Sequence, residues 1–220
     1  SELLNDPGLQ YLPPPNAADV FFDMEGYPYF QEEEGGLEYL FGNWTRDGEF
    51  VAFWAHDRES EKTAFIDFLT WLVDRLKASP GAHVYHYANY EIAALRRLSV
   101  RHSVMTEEVN WLETNNKMVD LLVTVKSSLV VGEESYSIKK LERHYGFIRT
   151  AEVKAATDSI DGYDYWLTLR ARSEDASLTE SERASARDEA AQTLAELAHY
   201  NCEDVQSTLA LYEWLAGMPG

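Results

Sequence analysis

The sequence predicts an α/β fold built on a mixed β-sheet, three layers deep, with helices flanking the sheet. Three observations carry this expectation. Three strand-like segments come first, at 19–25, 37–44 and 49–55. A strongly amphipathic helix follows at 60–77, after which strand and helix alternate, a plan that gives a mixed sheet. The chain is also long and apolar enough to cover such a sheet. Its 220 residues are 45% hydrophobic and include six Trp and thirteen Tyr, which favours one large globule over a disordered chain.

The elements read as follows, in chain order. Residues 1–18 hold Pro7, Gly8 and the run Pro13-Pro14-Pro15, and form an extended lead-in. A single domain then spans 19–216. Its first strand carries VFFDMEGYP, from Val20 to Pro28. The segments LEYLFGNW and EFVAFWA are strands joined through Arg46-Asp47-Gly48, where Asp-Gly marks a hairpin. Between 60 and 77, Phe65, Phe68, Leu69, Leu72, Val73 and Leu76 recur at helical spacing, and the helix stops before Pro80-Gly81. A short strand at 82–87 runs into a helix at about 89–99. The segment 118–131, MVDLLVTVKSSLVV, mixes β-branched residues with leucine and reads equally as strand or helix. Ser135 to Tyr145 is a helix whose leading serines can cap it. Residues 170–199 are rich in Ala, Glu and Arg and read as a solvated helix or helical pair, with a polar insertion at about 170–190. The last helix, 201–216, is capped by Asn201 and buries Val205, Leu209, Leu211, Tyr212 and Leu215.

Composition excludes several classes of function. No apolar run approaches the roughly 20 residues of a membrane span, and no basic start followed by an apolar stretch marks a secretory signal. Cys202 is the single cysteine, so no internal disulfide forms and a reducing, cytoplasmic setting is expected. A formal charge of −19 argues against a broad nucleic-acid-binding face, because phosphate binding depends on Lys and Arg. A nucleic-acid partner must therefore be held locally or with help from another domain. The chain runs from Ser1 to Gly217-Met218-Pro219-Gly220 and reads as a piece of a longer protein.

The chemistry lies in acidic residues at four stations. Asp23 and Glu25 are two apart on a strand, so both side chains point to one face, where like charges repel and burial penalises both. By itself the pair also fits a strand with one wet face. Gly26 follows it and permits close approach of a backbone or ligand. The second station is Glu91, behind Tyr90, in the first turn of a helix that starts where a strand ends. An acid there is also favoured simply by the helix dipole. The third is Asp204, in Tyr200-Asn201-Cys202-Glu203-Asp204, with Tyr200 four residues before it on the same helical face. The fourth, Asp120, has apolar neighbours and needs a partner, which backbone N–H groups can supply. Lys139, Lys140, Arg143, Arg96 and Arg97 are candidate phosphate contacts that also fit solvated helix faces. Trp44, Trp54 and Trp71 fit base stacking or, more simply, core packing.

The order D-x-E, aromatic-acid, Y-x-x-x-D resembles the DEDD superfamily of 3′–5′ exonucleases, which have a ribonuclease H-like fold. Within it, VFFDMEGYP, LEYLFG, YHYANYE, VDLL, SYSIKKLE and YNCEDVQST are similar to the ribonuclease H-like domain of RecB-like putative nucleases. The likeness covers about residues 11–216. It implies a two-metal-ion hydrolase of phosphodiester bonds, acting on nucleic acid, with single-stranded DNA expected, in a DNA-repair setting beside nuclease or helicase modules of a longer parent. The implied cofactors are two Mg²⁺ or Mn²⁺ ions, which suit hard oxygen ligands. Asp23 would bridge them, Glu25 and Asp204 would hold one, and Glu91 the other, where the family usually has Asp. Asp120 is the alternative to Glu91. Tyr90, Asn201, Lys139 and Lys140 would meet the substrate, and Tyr200 would orient the attacking water.

The superfamily has tyrosine and histidine branches, and His199 stands five residues before Asp204. Four residues fall within about 40° of the Asp face, whereas five fall well off it. Tyr200 is therefore preferred. Two other classes remain open. One is a silent docking or regulatory module, favoured by the acidic surface and by Glu91. The other is a metal-independent glycosidase using two carboxylates, which gives no reason for Tyr200 and Asp204.

Overall fold

The apolar residues Phe21, Phe22 and Met24 alternate with two acids only if the strand that carries them is covered on both sides. The computed structural model, which describes residues 2–3, 7–30, 35–130, 135–150 and 158–218, meets that condition. Strand β2 (Val20–Tyr27) is the middle of a five-stranded sheet. On one side it pairs antiparallel with β3 (Leu37–Thr45), which pairs with β4 (Phe50–Trp54) through the Asp47-Gly48 turn. On the other it pairs parallel with β5 (Val84–His86), which pairs parallel with β6 (Met118–Asp120). The sheet is thus mixed, in the order β4-β3-β2-β5-β6.

Helices cover both faces. Helix α1 (Arg58–Ala78) starts at a capping box between Asp57 and Ser60. It buries Phe65, Phe68, Leu69, Leu72, Val73 and Leu76 against Phe22, Met24 and Phe41, with α2 (Tyr90–His102) and α3 (Thr106–Thr114) completing that layer. The opposite face is covered by α4 (Leu121–Ser128), α5 (Ile138–Tyr145), α6 (Asp158–Glu174) and α7 (Glu180–Ala216). Two separate clusters form there. Phe21 and Tyr85 pack with Leu211, Tyr212 and Leu215, whereas Tyr27 and Tyr39 pack with Tyr163, Trp166 and Leu197. Asp23 and Glu25 lie on the same face of β2, in the seam between these clusters.

Several local expectations change. The segment 118–131 is strand and helix in turn, since Asp120 ends β6 and its side chain caps α4 by accepting from Leu122 N. Beyond α4, β7 (Leu129–Val130) pairs with β1 (Glu2–Leu3). Of the lead-in, residues 1 and 4–6 lie outside the described residues, as does Val131. Pro7–Tyr11 form a 3-10 turn instead of an extended stretch, because Leu9 and Leu12 pack against the cluster that holds Leu121 and Val125. Helix α3 and the start of α6 are unforeseen. Ser137 precedes α5 but makes no side-chain cap bond. Asn201 caps nothing: α7 runs unbroken through it, and the cap is Thr179, in a capping box with Glu182. Among the described residues no helix is long and apolar enough to cross a membrane.

Candidate metal centre

The centre is assembled where α7 crosses the seam in the sheet face. Before the crossing α7 packs Ala190 and Leu197 on one cluster, and after it Val205, Leu211 and Leu215 on the other. The crossing itself carries Tyr200, Asn201 and Asp204. Asp204 thereby meets Asp23 and Glu25, and one carboxylate oxygen from each lies within 4.8 Å of the other two. Strand period and helix period cooperate here: i and i+2 on β2 face the same way, as do Tyr200 and Asp204 at i and i+4 on α7.

Asn201 sits beneath the acids and is fully buried. Its Nδ2 donates to Asp23 Oδ2 at 2.8 Å. The neighbouring strand makes room for it. Asp23 is in register with Gly42, and a Cβ on Gly42 would stand 1.5 Å from Asn201 Oδ1. The amide therefore fixes a carboxylate and sits too deep to meet a substrate, which differs from the contact expected from sequence.

Glu91 stands beside the cluster without joining its tight set. It is buried in the first turn of α2, close enough that its charge helps push up the Asp23 carboxyl. His86 Nδ1 is 3.4 Å from Glu91 Oε2 but bonds the Ala88 carbonyl at 2.7 Å, so Glu91 Oε2 is buried without a hydrogen-bond partner among the described residues. Ala88, with φ of 74°, holds a left-handed backbone between β5 and α2. Asp120 Oδ1 accepts from Ala88 N at 2.9 Å as well as from Leu122 N, so one of its oxygens is engaged by the backbone.

Electrostatics mark the same residues. Burial, then the charges of Asp204, Glu25 and Glu91, hold the Asp23 carboxyl well above the usual carboxylate range. Burial and Asp204 push Glu25 up to about 7. Asp204 is raised by burial against the opposing pull of Arg149. Crowded, buried acids beside the Glu91 oxygen are short of positive charge, and an all-oxygen donor set fits Mg²⁺ or Mn²⁺.

Basic groups supply part of that charge. Lys139 Nζ donates to Tyr200 OH and lies 4.9 Å from the ring centroid. Lys140 is exposed on the next position of α5. Sequence reasoning missed Arg149. Its Nη2 donates to Asp204 Oδ1 at 2.6 Å and its Nε to Glu142, whose Oε1 also accepts from Ser207 Oγ. No periodic pattern links Arg149 to Asp204, since the arginine lies in an irregular segment after α5. His199 is half-exposed beside Glu203 and Thr150, away from the acids, whereas Tyr200 feels Asp204, Glu25 and Asp23.

A cleft of about 500 Å³ opens next to Glu25, lined among others by Gly26, Glu38, Tyr90, Arg97 and Ser159. Tyr90 and Arg97 both donate to Glu38 there. Arg96 instead pairs with Glu113 on the surface, and Trp54 and Trp71 pack against core clusters.

Comparison with known proteins agrees with this architecture. A family model described as the RNase_H superfamily matches residues 20–216. No curated protein and no solved structure matches the chain. The match runs from the first residue of β2 to the last of α7 and so takes in the sheet, the seam and the acids on both sides of it: the chain belongs to the ribonuclease H superfamily, whose members generally hydrolyse phosphodiester bonds of nucleic acid.

Proposed function

We propose that the chain is a metal-dependent 3′–5′ exonuclease acting on single-stranded DNA. The observation that carries this reading is the meeting of Asp23, Glu25 and Asp204 within 4.8 Å, from two elements far apart in sequence. Divalent cations held by these acids, with Glu91 beside them, would stabilise the attacking and leaving oxygens of an in-line displacement at phosphorus.

The side chains have separable tasks. Asn201 fixes the Asp23 oxygen it bonds, which keeps one ligand oriented before any substrate arrives. Tyr200 accepts from Lys139, so the phenol proton is free to be given to a water or a phosphate oxygen, and the same oxygen is held in place. Burial and the nearby acids raise this phenol above its ordinary pKa, so it works as a neutral group that orients water. The cleft beside Glu25 offers the Tyr90 ring and the Arg97 guanidinium to a terminal nucleotide. A chain of charge −19 grips nucleic acid only locally, and a single strand held by its end suits that limit. The 3′–5′ polarity rests on the order D-x-E, Y-E, Y-x-x-x-D.

One observation favours a second reading, a catalytically silent module. Arg149 already neutralises Asp204, which an active centre would need for its cations. Labelled single-stranded DNA and RNA, offered with Mn²⁺, Mg²⁺ or EDTA, separate the two. Stepwise shortening from the 3′ end with Mn²⁺, abolished by EDTA, is expected. Intact substrate under every condition would favour the silent module instead.

A further inference from the structure

Arg149 has a geometry that a surface ion pair lacks. Its side chain is only 10% exposed, and it touches two acids with different duties. Glu142, on α5, is an anchor: Arg149 Nε lies 3.0 and 3.1 Å from its two oxygens, and Ser207 Oγ on α7 bonds one of them at 2.8 Å. Asp204 belongs to the cluster and receives a single bond, from Nη2. The third nitrogen, Nη1, is buried with no hydrogen-bond partner among the described residues. The guanidinium is therefore held by three bonds from outside the centre and by one from within it. If Asp204 turned away, the Glu142 bonds would keep the arginine in place.

We propose that Arg149 is the resident counter-ion of the centre: it neutralises Asp204 while the cluster is bare, and its charge sets how tightly divalent cations bind. The proposal rests on the metal-dependent reading above. A fixed positive charge on a ligand opposes every cation that the ligand is asked to hold, and the low-dielectric surroundings strengthen that opposition. The same charge keeps four crowded acids compatible with folding before cations arrive. Arg149 is thus a positioning residue with a cost in affinity, and it does not take part in bond breaking.

Titration calorimetry of the full chain with Mn²⁺ tests this, comparing wild type with Arg149→Met and Arg149→Lys. Arg149→Met is expected to bind Mn²⁺ about tenfold or more tightly, because one unit charge is removed at short range from a dication. Arg149→Lys keeps the charge and should stay near wild type. A purely structural arginine would lower the melting temperature of Arg149→Met without metal but leave its Mn²⁺ affinity unchanged, and that outcome overturns the proposal. Tightening in both variants also overturns it, since charge is then not the cause. Absence of Mn²⁺ binding in wild type and variants alike would sink the metal reading itself, and this proposal with it. Should Arg149→Met fail to fold, Arg149→Gln keeps a neutral N–H donor in place of Nε, and the same tightening is expected of it.

Discussion

Asp23 is the residue in which repulsion, burial and function meet. Three like charges and burial act on it, offset by one amide and one more distant guanidinium. Replacing it by Asn removes a ligand and relieves crowding together. Asp23→Asn is therefore expected to abolish nuclease turnover while melting at the same temperature as wild type in EDTA, or higher. Near wild-type cleavage with Mn²⁺ would remove Asp23 from the centre. Tyr200 and His199 are adjacent in sequence but diverge in space, one over the acids and the other beside Glu203. Tyr200→Phe should lower the rate by roughly 10²-fold or more, the scale of a positioned proton-handling group, and His199→Ala should be mild. Measured together at saturating metal, the opposite ranking would reassign the role to the histidine.

At the scale of elements, the centre depends on how closely α7 approaches the sheet. Gly42 on β3 is the point of closest approach, because Asn201 occupies the space of its missing Cβ. Gly42→Ala cannot be absorbed by a flexible tip, since Asn201 Cγ would also lie 2.6 Å away. A cost of about 2 kcal/mol or more is expected, toward the upper part of the overpacking range. Chemical denaturation reads this directly, and adding Asn201→Ala to Gly42→Ala should recover part of the loss. An unchanged denaturation midpoint for Gly42→Ala would contradict the packing described for α7.

Helix α6 joins the sheet through His56, which packs on Trp166 and bonds Tyr163 OH through Nδ1 at 3.1 Å. Burial, then the Arg170 charge, depress this imidazole to about 4, while Asp57 pulls weakly the other way. Between roughly 6.5 and 4 the unfolded chain then binds a proton that the folded chain refuses, so this contribution to stability is lost as pH falls. Wild type should lose melting temperature relative to His56→Gln from pH 7 to pH 4.5. Parallel curves would show that His56 is not held neutral.

The whole molecule combines a charge of −19 with a buried acidic seam, so the metal-free fold carries a repulsion that bound cations would relieve. Mn²⁺ at 100 times its dissociation constant should add about 2.7 kcal/mol of stability. A melting curve identical in millimolar Mn²⁺ and in EDTA would count heavily against the centre. The layers explain why the repulsion is tolerated. Two apolar clusters on one face and a third on the other hold β2 in place, and the acids interrupt only the gap between them.

Much of this was local and therefore readable in sequence. Period two on β2 put Asp23 and Glu25 on one face, and the spacing from Tyr200 to Asp204 put both on one side of a helix. Sequence patterns supplied the mixed sheet, the hairpin and α1, whereas Asp120 stayed open between backbone partners and the metal site. What local pattern could not decide was where distant pieces land. Asn201 looked like a cap because asparagine favours helix starts, but its amide found Asp23 across the sheet, and that contact outweighed the preference. Whether Glu91 joins the tight set or stands beside it depends on where β5 ends and Ala88 turns, a matter of strand register. Arg149 reaches Asp204 across 55 positions, from a segment with no periodicity. Periodicity fixes only the direction in which a side chain points from its own element, whereas charge pairing and close approach depend on distances between elements, which the packing of the three layers decides.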